Sequence, residues 1–358
     1  MHPICQQRLR NQYLSTPANK NAVDVLKSFV AIQAQDYPGA KWALAQRAKG
    51  ADDELIEQAL SDGRILRLHI MRPTWHFVSA EDVRWLLQLT APRVNAVTSS
   101  YYRKAGLDEK VFRRTNNIMT KALSGGRQLT RAELRDAVAR TGIEPGDSTR
   151  FGHILLRAEL DGVICNGARV GNQFTYALLA DRAPRSRILQ QDEALEEIAF
   201  RYFRTRGPAT VHDFVWWSGL KVADAKRAID INGKRLENCS IGDKLFWFST
   251  EKPRTKQRLV TQAHLLPLYD EYFIAYKDRT AGIHPKVSQM KVGTSFVFDA
   301  PMVMNGQAVG SWRRVLDKSS VSVKLNPFIT LTDSDRNAFN AACENYARFL
   351  NKDLGIIL

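Results

Sequence analysis

The strongest constraint on the fold is a pattern that recurs along this chain. Short segments of helical periodicity run into a hairpin-like pair of apolar runs, three times over. In the first block Val25, Leu26, Phe29 and Val30 recur at helical spacing, Trp42-Ala43-Leu44 opens another apolar face, and residues 52–60 supply a third helix before Asp62-Gly63. Two strand-like runs, 65–71 and 74–78, follow around Arg72-Pro73. Three short helices closed by a hairpin are the pattern of a winged helix.

The second block begins after a helix over 80–89 and carries helical patterns at 110–123, 131–140 and 151–160. Thr130 followed by Glu133 is a capping-box signature. The block ends in β-prone runs over 162–176, with Arg169 near the tip. In the third block helices at 192–204, 211–217 and 222–231 surround a break at Ser218-Gly219, the look of a helix-turn-helix, and Phe246-Trp247-Phe248 offers one short strand. From Leu265 onward the character is β. The runs are Phe296-Val-Phe298, a hairpin centred on Asn305-Gly306 and a strand at 321–325, before an amphipathic helix over 333–351. The expected fold is α+β: winged helices at residues 1–105, 106–185 and 186–260, then a β-barrel-like domain with a terminal helix at 261–358.

Composition narrows the partners. Fifty-two Lys and Arg against 37 Asp and Glu give a formal charge of +15, the electrostatic footprint of a protein that handles a polyanion, shared by ribosome-associated and merely soluble basic proteins. No apolar run approaches the roughly 18 to 20 residues of a membrane span, and the first residues lack the layout of a signal peptide, so a cytoplasmic protein without membrane contact is expected. Cys5, Cys165, Cys239 and Cys343 lie too far apart for a zinc site or a disulfide framework. GxxxxGK[ST], GxGxxG and HExxH are absent from the sequence; no metal and no cofactor is expected.

At Ile32-Gln33-Ala34-Gln35-Asp36-Tyr37-Pro38-Gly39 two glutamines sit where a helix from 21 to 32 has to end, because Pro38 and Gly39 do not continue it. Alone, such a pair reads as a solvated helix end. Its company changes that reading. Ala31-Ile-Gln-Ala-Gln-Asp36, Met71-Arg-Pro-Thr-Trp-His-Phe-Val78, Arg206-Gly-Pro-Ala-Thr210 with Trp216-Trp-Ser-Gly219, Leu266-Pro-Leu-Tyr-Asp-Glu-Tyr272 and Val309-Gly-Ser-Trp-Arg-Arg314 together resemble, in this order, AlkZ/YcaQ-like winged-helix DNA glycosylases.

The resemblance spans almost the whole chain. It implies three tandem winged helices around a concave basic face, braced by a C-terminal β-barrel, and action on alkylated purines in duplex DNA or, in some members, on interstrand crosslinks. Gln-x-Gln marks the AlkZ-like branch and Gln-x-Asp the YcaQ-like one, so Gln35 places the chain in the former. By resemblance Gln35 positions water and Gln33 supplies a supporting hydrogen bond at the lesion sugar. A carboxamide is no general base, but its oxygen can orient water and its dipole can face developing positive charge.

Asp36, His69 and Asp270 are supporting candidates. Asp36 is the nearest titratable base, with capping or turning the chain as the structural alternative. His69 lines the DNA cleft or is a satisfied strand residue, and Trp75 and His76 read as core. Asp270 either serves the site or pairs with Arg279 or Arg313 to fix the barrel. Arg72, Arg169, Arg313 and the basic loop residues Lys277, Arg279, His284 and Lys286 are the expected DNA contacts, the loop being Gly-containing and mobile. Trp312 reads as structural.

No lysine stands out as a Schiff-base nucleophile, so a monomeric, monofunctional hydrolase is expected, acting in an open cleft on nucleoid DNA without full base flipping. A winged-helix transcription regulator reading DNA with Lys221, Lys226 and Arg227, or a catalytically silent DNA binder, would share the fold and the charge.

Overall fold

The computed structural model describes residues 3–251, 262–290 and 299–357. The Phe296-Val-Phe298 run lies outside the described residues. Residues 1–57, 196–217 and 222–358 form one compact unit, and residues 58–195 and 218–221 form a second.

In the first unit Asn21 caps the Ala22–Phe29 helix by accepting from the Asp24 amide at 3.0 Å. The expected continuation to Ile32 does not occur. The helix ends at Phe29, Val30 takes φ 65° and ψ −59°, and the chain becomes a three-residue strand, Ala31–Gln33. Helix Tyr37–Ala45 follows, with Pro38 in its first turn, where the missing N–H costs nothing.

Most of the third helical block belongs to this unit, as residues 196–206 of helix Gln191–Arg206, residues 211–217 of helix Val211–Ser218 and helix Val222–Asn232; Gly219, at φ 73°, separates the last two helices and falls in the second unit. The single strand expected around Trp247 is one arm of a hairpin, Leu236–Ile241 with Lys244–Ser249. The partner strand escapes sequence reading because Glu237, Asn238, Cys239 and Ser240 are exposed and carry no apolar alternation.

The C-terminal sheet has five described strands: Ala263–Leu265, Pro301–Met304, Gln307–Leu316, Ser320–Pro327 and Asp353–Ile357. It is a curled half-barrel, with Ala263–Leu265 and Asp353–Ile357 as its edges among the described residues, where a β-barrel-like domain is expected. The Asn305-Gly306 hairpin forms as expected. Both residues take the positive φ, 51° and 84°, that a tight hairpin turn demands, and Gly306 has no room for a side chain beside Cys5 and Tyr272. The closing helix is Asp333–Phe349, opened by a Thr332/Asp335 capping box. Asp353–Ile357 then returns parallel to Ser320–Pro327, a strand too short and too late for its periodicity to be read.

The second unit contains the hairpin of strands Ile65–His69 and Trp75–Ser79 and the helix Val83–Lys104, which runs fifteen residues beyond the expected end at 89. Pro92 lies inside this helix and removes one backbone bond without ending it. The second helical block appears as expected: Glu109–Leu123, Arg131–Ala139 and Ser148–Leu160, with both halves of the Thr130/Glu133 capping box formed. Leu129–Thr130, Thr175–Leu178 and Ile164–Asn166 make its small antiparallel sheet. Among the described residues no helix is long and apolar enough to cross a membrane.

Candidate active site

Burial alternates through the glutamine segment. Ile32 and Ala34 are buried, Gln33 at the strand end is half-buried, and Gln35, in the bend that follows, is exposed. Gln33 therefore ends a strand rather than a helix, and its N–H donates to Glu271 Oε1 at 3.0 Å.

Asp36 occupies the N-cap position of Tyr37–Ala45, but its side chain makes no capping bond. Its carboxylate instead fills the space beside Gly39: a Cβ there would stand 2.2 Å from Asp36 Oδ2. Beyond it Lys41 is buried, held at 2.8 Å by Asp53 and by Glu57, and Tyr37 donates to Glu57 as well.

Two adjacent acids stand behind the segment. Asp270 and Glu271 are both fully buried, and each is neutralised by one fully buried arginine. Asp270 pairs with Arg47, not with Arg279 or Arg313, and also caps the Glu271–Ile274 helix by accepting from the Tyr272 amide. Arg279 is engaged elsewhere: its Nε donates to Phe273 O and its guanidinium lies 5.6 Å from the Trp216 ring, where burial pushes its pKa down. Arg313 points outward from the Gln307–Leu316 strand and is exposed. Trp312 is buried as expected, donating to Leu266 O at 2.7 Å.

Glu271 pairs with Arg206. Neither residue is legible as functional from local pattern, although both lie in segments that carry the resemblance to the glycosylases. For Glu271 the available signal is a charged residue set in an apolar run, because such a charge is buried only with a partner.

The loop from Lys277 to Lys286 is structured more than expected. The amides of Lys277 and Asp278 both donate to Asp213, Asp278 receives Thr280 and pairs with Lys244 at 2.6 Å, and Gly282 packs on Phe273. Partial burial pushes the Asp278 pKa up, but Lys244 and Thr280 outweigh it and hold the carboxyl down at about 2. His284 caps the Pro285–Gln289 helix, and Lys277 and Lys286 are exposed.

In the second unit His69 ends the Ile65–His69 strand. Its amide donates to Glu159 Oε2 at 2.9 Å, its Nδ1 touches the same oxygen, and its ring lies 4.4 Å from that of Trp75. These groups, with Tyr101, His153 and Tyr176, line a cavity of about 360 Å³. His76 is buried, as expected, while Trp75 is half-buried at the cavity rim. Arg67, which no sequence pattern singles out, is sandwiched between Trp75 and Phe174 at 4.6 and 4.7 Å. Arg72 takes φ 54° in the hairpin turn. Arg169 is half-buried over Phe174, with Asn172 as an additional acceptor.

Among the described residues no three His, Cys, Asp or Glu side chains gather as a metal site.

The chain is similar to known proteins along most of its length. The family described as DNA glycosylase AlkZ-like matches residues 26–349. A Streptomyces sahachiroi protein named interstrand DNA cross-link repair glycosylase is 24% identical over 323 residues, covering 86% of each chain. The solved structure of Streptomyces sahachiroi DNA glycosylase AlkZ shares the fold with a TM-score of 0.81 at 21% identity, over 99% of this chain and 98% of that one. With the family matched from the glutamine strand through the closing helix, the chain belongs to the AlkZ-like DNA glycosylases.

Proposed function

We propose that the protein is a monofunctional DNA glycosylase that hydrolyses the N-glycosidic bond of N7-alkylated purines in duplex DNA and unhooks interstrand crosslinks built on such purines. Alkylation at N7 makes the purine a cation, so the bond to C1′ breaks with the electron pair leaving on the base and no proton need be supplied. Water then adds to C1′, loses its proton to solvent and leaves an abasic site.

The catalytic burden is to place that water and steady an oxocarbenium-like sugar. Gln35 orients the water through its amide oxygen, and Gln33 bonds the lesion sugar. The single observation that supports this reading is the pair of neutral amides at the end of a buried strand, Gln33 half-buried as its last residue and Gln35 exposed two residues on. The exposure of Gln35 favours an open cleft, into which a bulky crosslinked base fits without being fully extruded.

Duplex DNA is held, on this reading, by three winged-helix domains, residues 1–105, 106–185 and 186–260, with the half-barrel of 261–358 as a brace. The antiparallel hairpins that close the three helical blocks support the count. Arg72, Arg169, Lys277, Arg279, His284, Lys286 and Arg313 contact phosphate, His69 lines the cleft, and Asp270 acts only through the scaffold. The protein works as a monomer in the bacterial cytoplasm, on nucleoid DNA.

The test is incubation with a duplex carrying one N7-methylguanine, followed by a count of abasic sites. Release of the modified base is expected. Tight, sequence-selective binding to undamaged DNA with no base release would instead establish a regulator.

A further inference from the structure

The geometry points to Arg206 and Glu271 as positioning residues for base release, acting through the main chain of residues 29–33. The inference rests on the reading of Gln33 and Gln35 as the amides that serve the reaction.

Val30 carries it. Its dihedrals, φ 65° and ψ −59°, belong to the strained form of the γ-turn and are sparsely populated by a β-branched residue. Such a conformation persists only where the surroundings over-determine it. Here they do so from both sides. Arg206 Nη1 donates to Phe29 O at 3.1 Å and Nη2 to Ala31 O at 2.9 Å, clamping the carbonyls before and after Val30.

The clamp has its own anchor. Arg206 Nε and Nη2 donate to Glu271 Oε2 at 2.9 and 2.6 Å, Trp217 Nε1 donates to the same oxygen at 3.0 Å, and the remaining oxygen of Glu271 receives the Gln33 amide. With Thr205 Oγ1 as a further acceptor, all five guanidinium donors are used. The rings of Phe29 and Trp217 lie 4.9 and 4.4 Å from the cation. One buried ion pair thus fixes the helix end, the strained residue and the first glutamine together. Since displacement of a reacting group by about 1 Å can cost on the order of a hundredfold in rate, loosening this brace slows chemistry without touching DNA.

The neighbouring pair, Arg47 with Asp270, is the matched control. It is equally buried, but its other bonds go to Ala43 O and Gln12, and it meets residues 29–33 only at the Phe29 ring, 5.5 Å from its guanidinium, with no hydrogen bond to their main chain. The experiment compares Arg206→Lys, Glu271→Gln and Arg47→Lys in the full chain. The readouts are the single-turnover rate of N7-methylguanine release, the Kd for the same duplex, and amide exchange across residues 29–36.

Arg206→Lys and Glu271→Gln are expected to slow release ten- to a hundredfold with Kd within twofold of the parent, and to speed amide exchange in the segment. Arg47→Lys is expected to lower the unfolding midpoint and change neither. If Arg206→Lys does not fold, Glu271→Gln and the milder Trp217→Phe make the same comparison. Rates within twofold of the parent in the brace variants, or equal slowing by Arg47→Lys, would overturn the inference. Alanine at Gln33 and Gln35 separates the two layers. If alanine abolishes release and the brace variants leave it intact, only the inference falls; if alanine leaves release intact, the reading of the glutamines falls with it.

Discussion

Arg47 and Asp270 form a bidentate ion pair from which water is wholly excluded, with Nη1 to Oδ2 at 2.9 Å and Nη2 to Oδ1 at 2.7 Å. Removing one partner of such a pair leaves an uncompensated buried charge, which costs about 3–5 kcal/mol. Asp270→Ala also removes the cap on Tyr272. The variant is expected to lose stability on that scale, read as a shift in the urea midpoint of the unit that contains it. A shift below about 1 kcal/mol would mean that Arg47 finds water or another acceptor there.

His264 sets a pH dependence. Desolvation, with a smaller contribution from the Arg47 cation, pushes its pKa down to about 4, and its Nε2 has no hydrogen-bond partner among the described residues. The ring is neutral when folded, and the unfolded chain takes up its proton below about 6.5. Its contribution is therefore fully present above about 6.5 and is lost as pH falls towards 4. Urea midpoints at pH 7.5 and pH 5 should differ less in His264→Gln than in the parent.

Asp36 lies next to the glutamines but is turned into the slot beside Gly39. A general base contributes on the order of a hundred- to ten-thousandfold. Asp36→Asn is expected to slow base release by less than the lower figure, measured under single turnover. A larger loss would make Asp36 the base and the glutamines its auxiliaries.

Lys277 and Lys286 are exposed on a loop pinned by Asp213 and Asp278. Each alanine variant should weaken binding evenly across DNA sequences and lower the slope of log Kd against log salt by about 0.9 for each phosphate no longer neutralised. An unchanged slope would remove these lysines from the interface.

Much of this fold is written locally. Thr130 with Glu133 and Asn305 with Gly306 specify a helix start and a hairpin within a few residues, and both form as expected. What local pattern does not reveal is what distant residues impose. The helix that periodicity carries to Ile32 stops at Phe29 because Arg206, far along the chain, claims the Phe29 and Ala31 carbonyls and holds Val30 where its own branching disfavours it. The pairing of Asp270 with Arg47 rather than with Arg279 or Arg313 is equally invisible, since charge alone does not say which arginine shares a buried space. The glutamines themselves are legible only through their resemblance in company; Gln33 ends the strand half-buried and Gln35 follows it exposed.

The central claim is that two neutral amides serve where the lesion brings its own charge. Its most direct test is the single-turnover rate of N7-methylguanine release by the Gln33→Ala, Gln35→Ala double variant, with DNA affinity measured in parallel. Loss of a preorganised polar group at a transition state typically costs a hundred- to a thousandfold. Release is expected to fall by at least about a hundredfold, with the Kd for the damaged duplex changed by less than about threefold. Release near the parent rate from the double variant would contradict the claim.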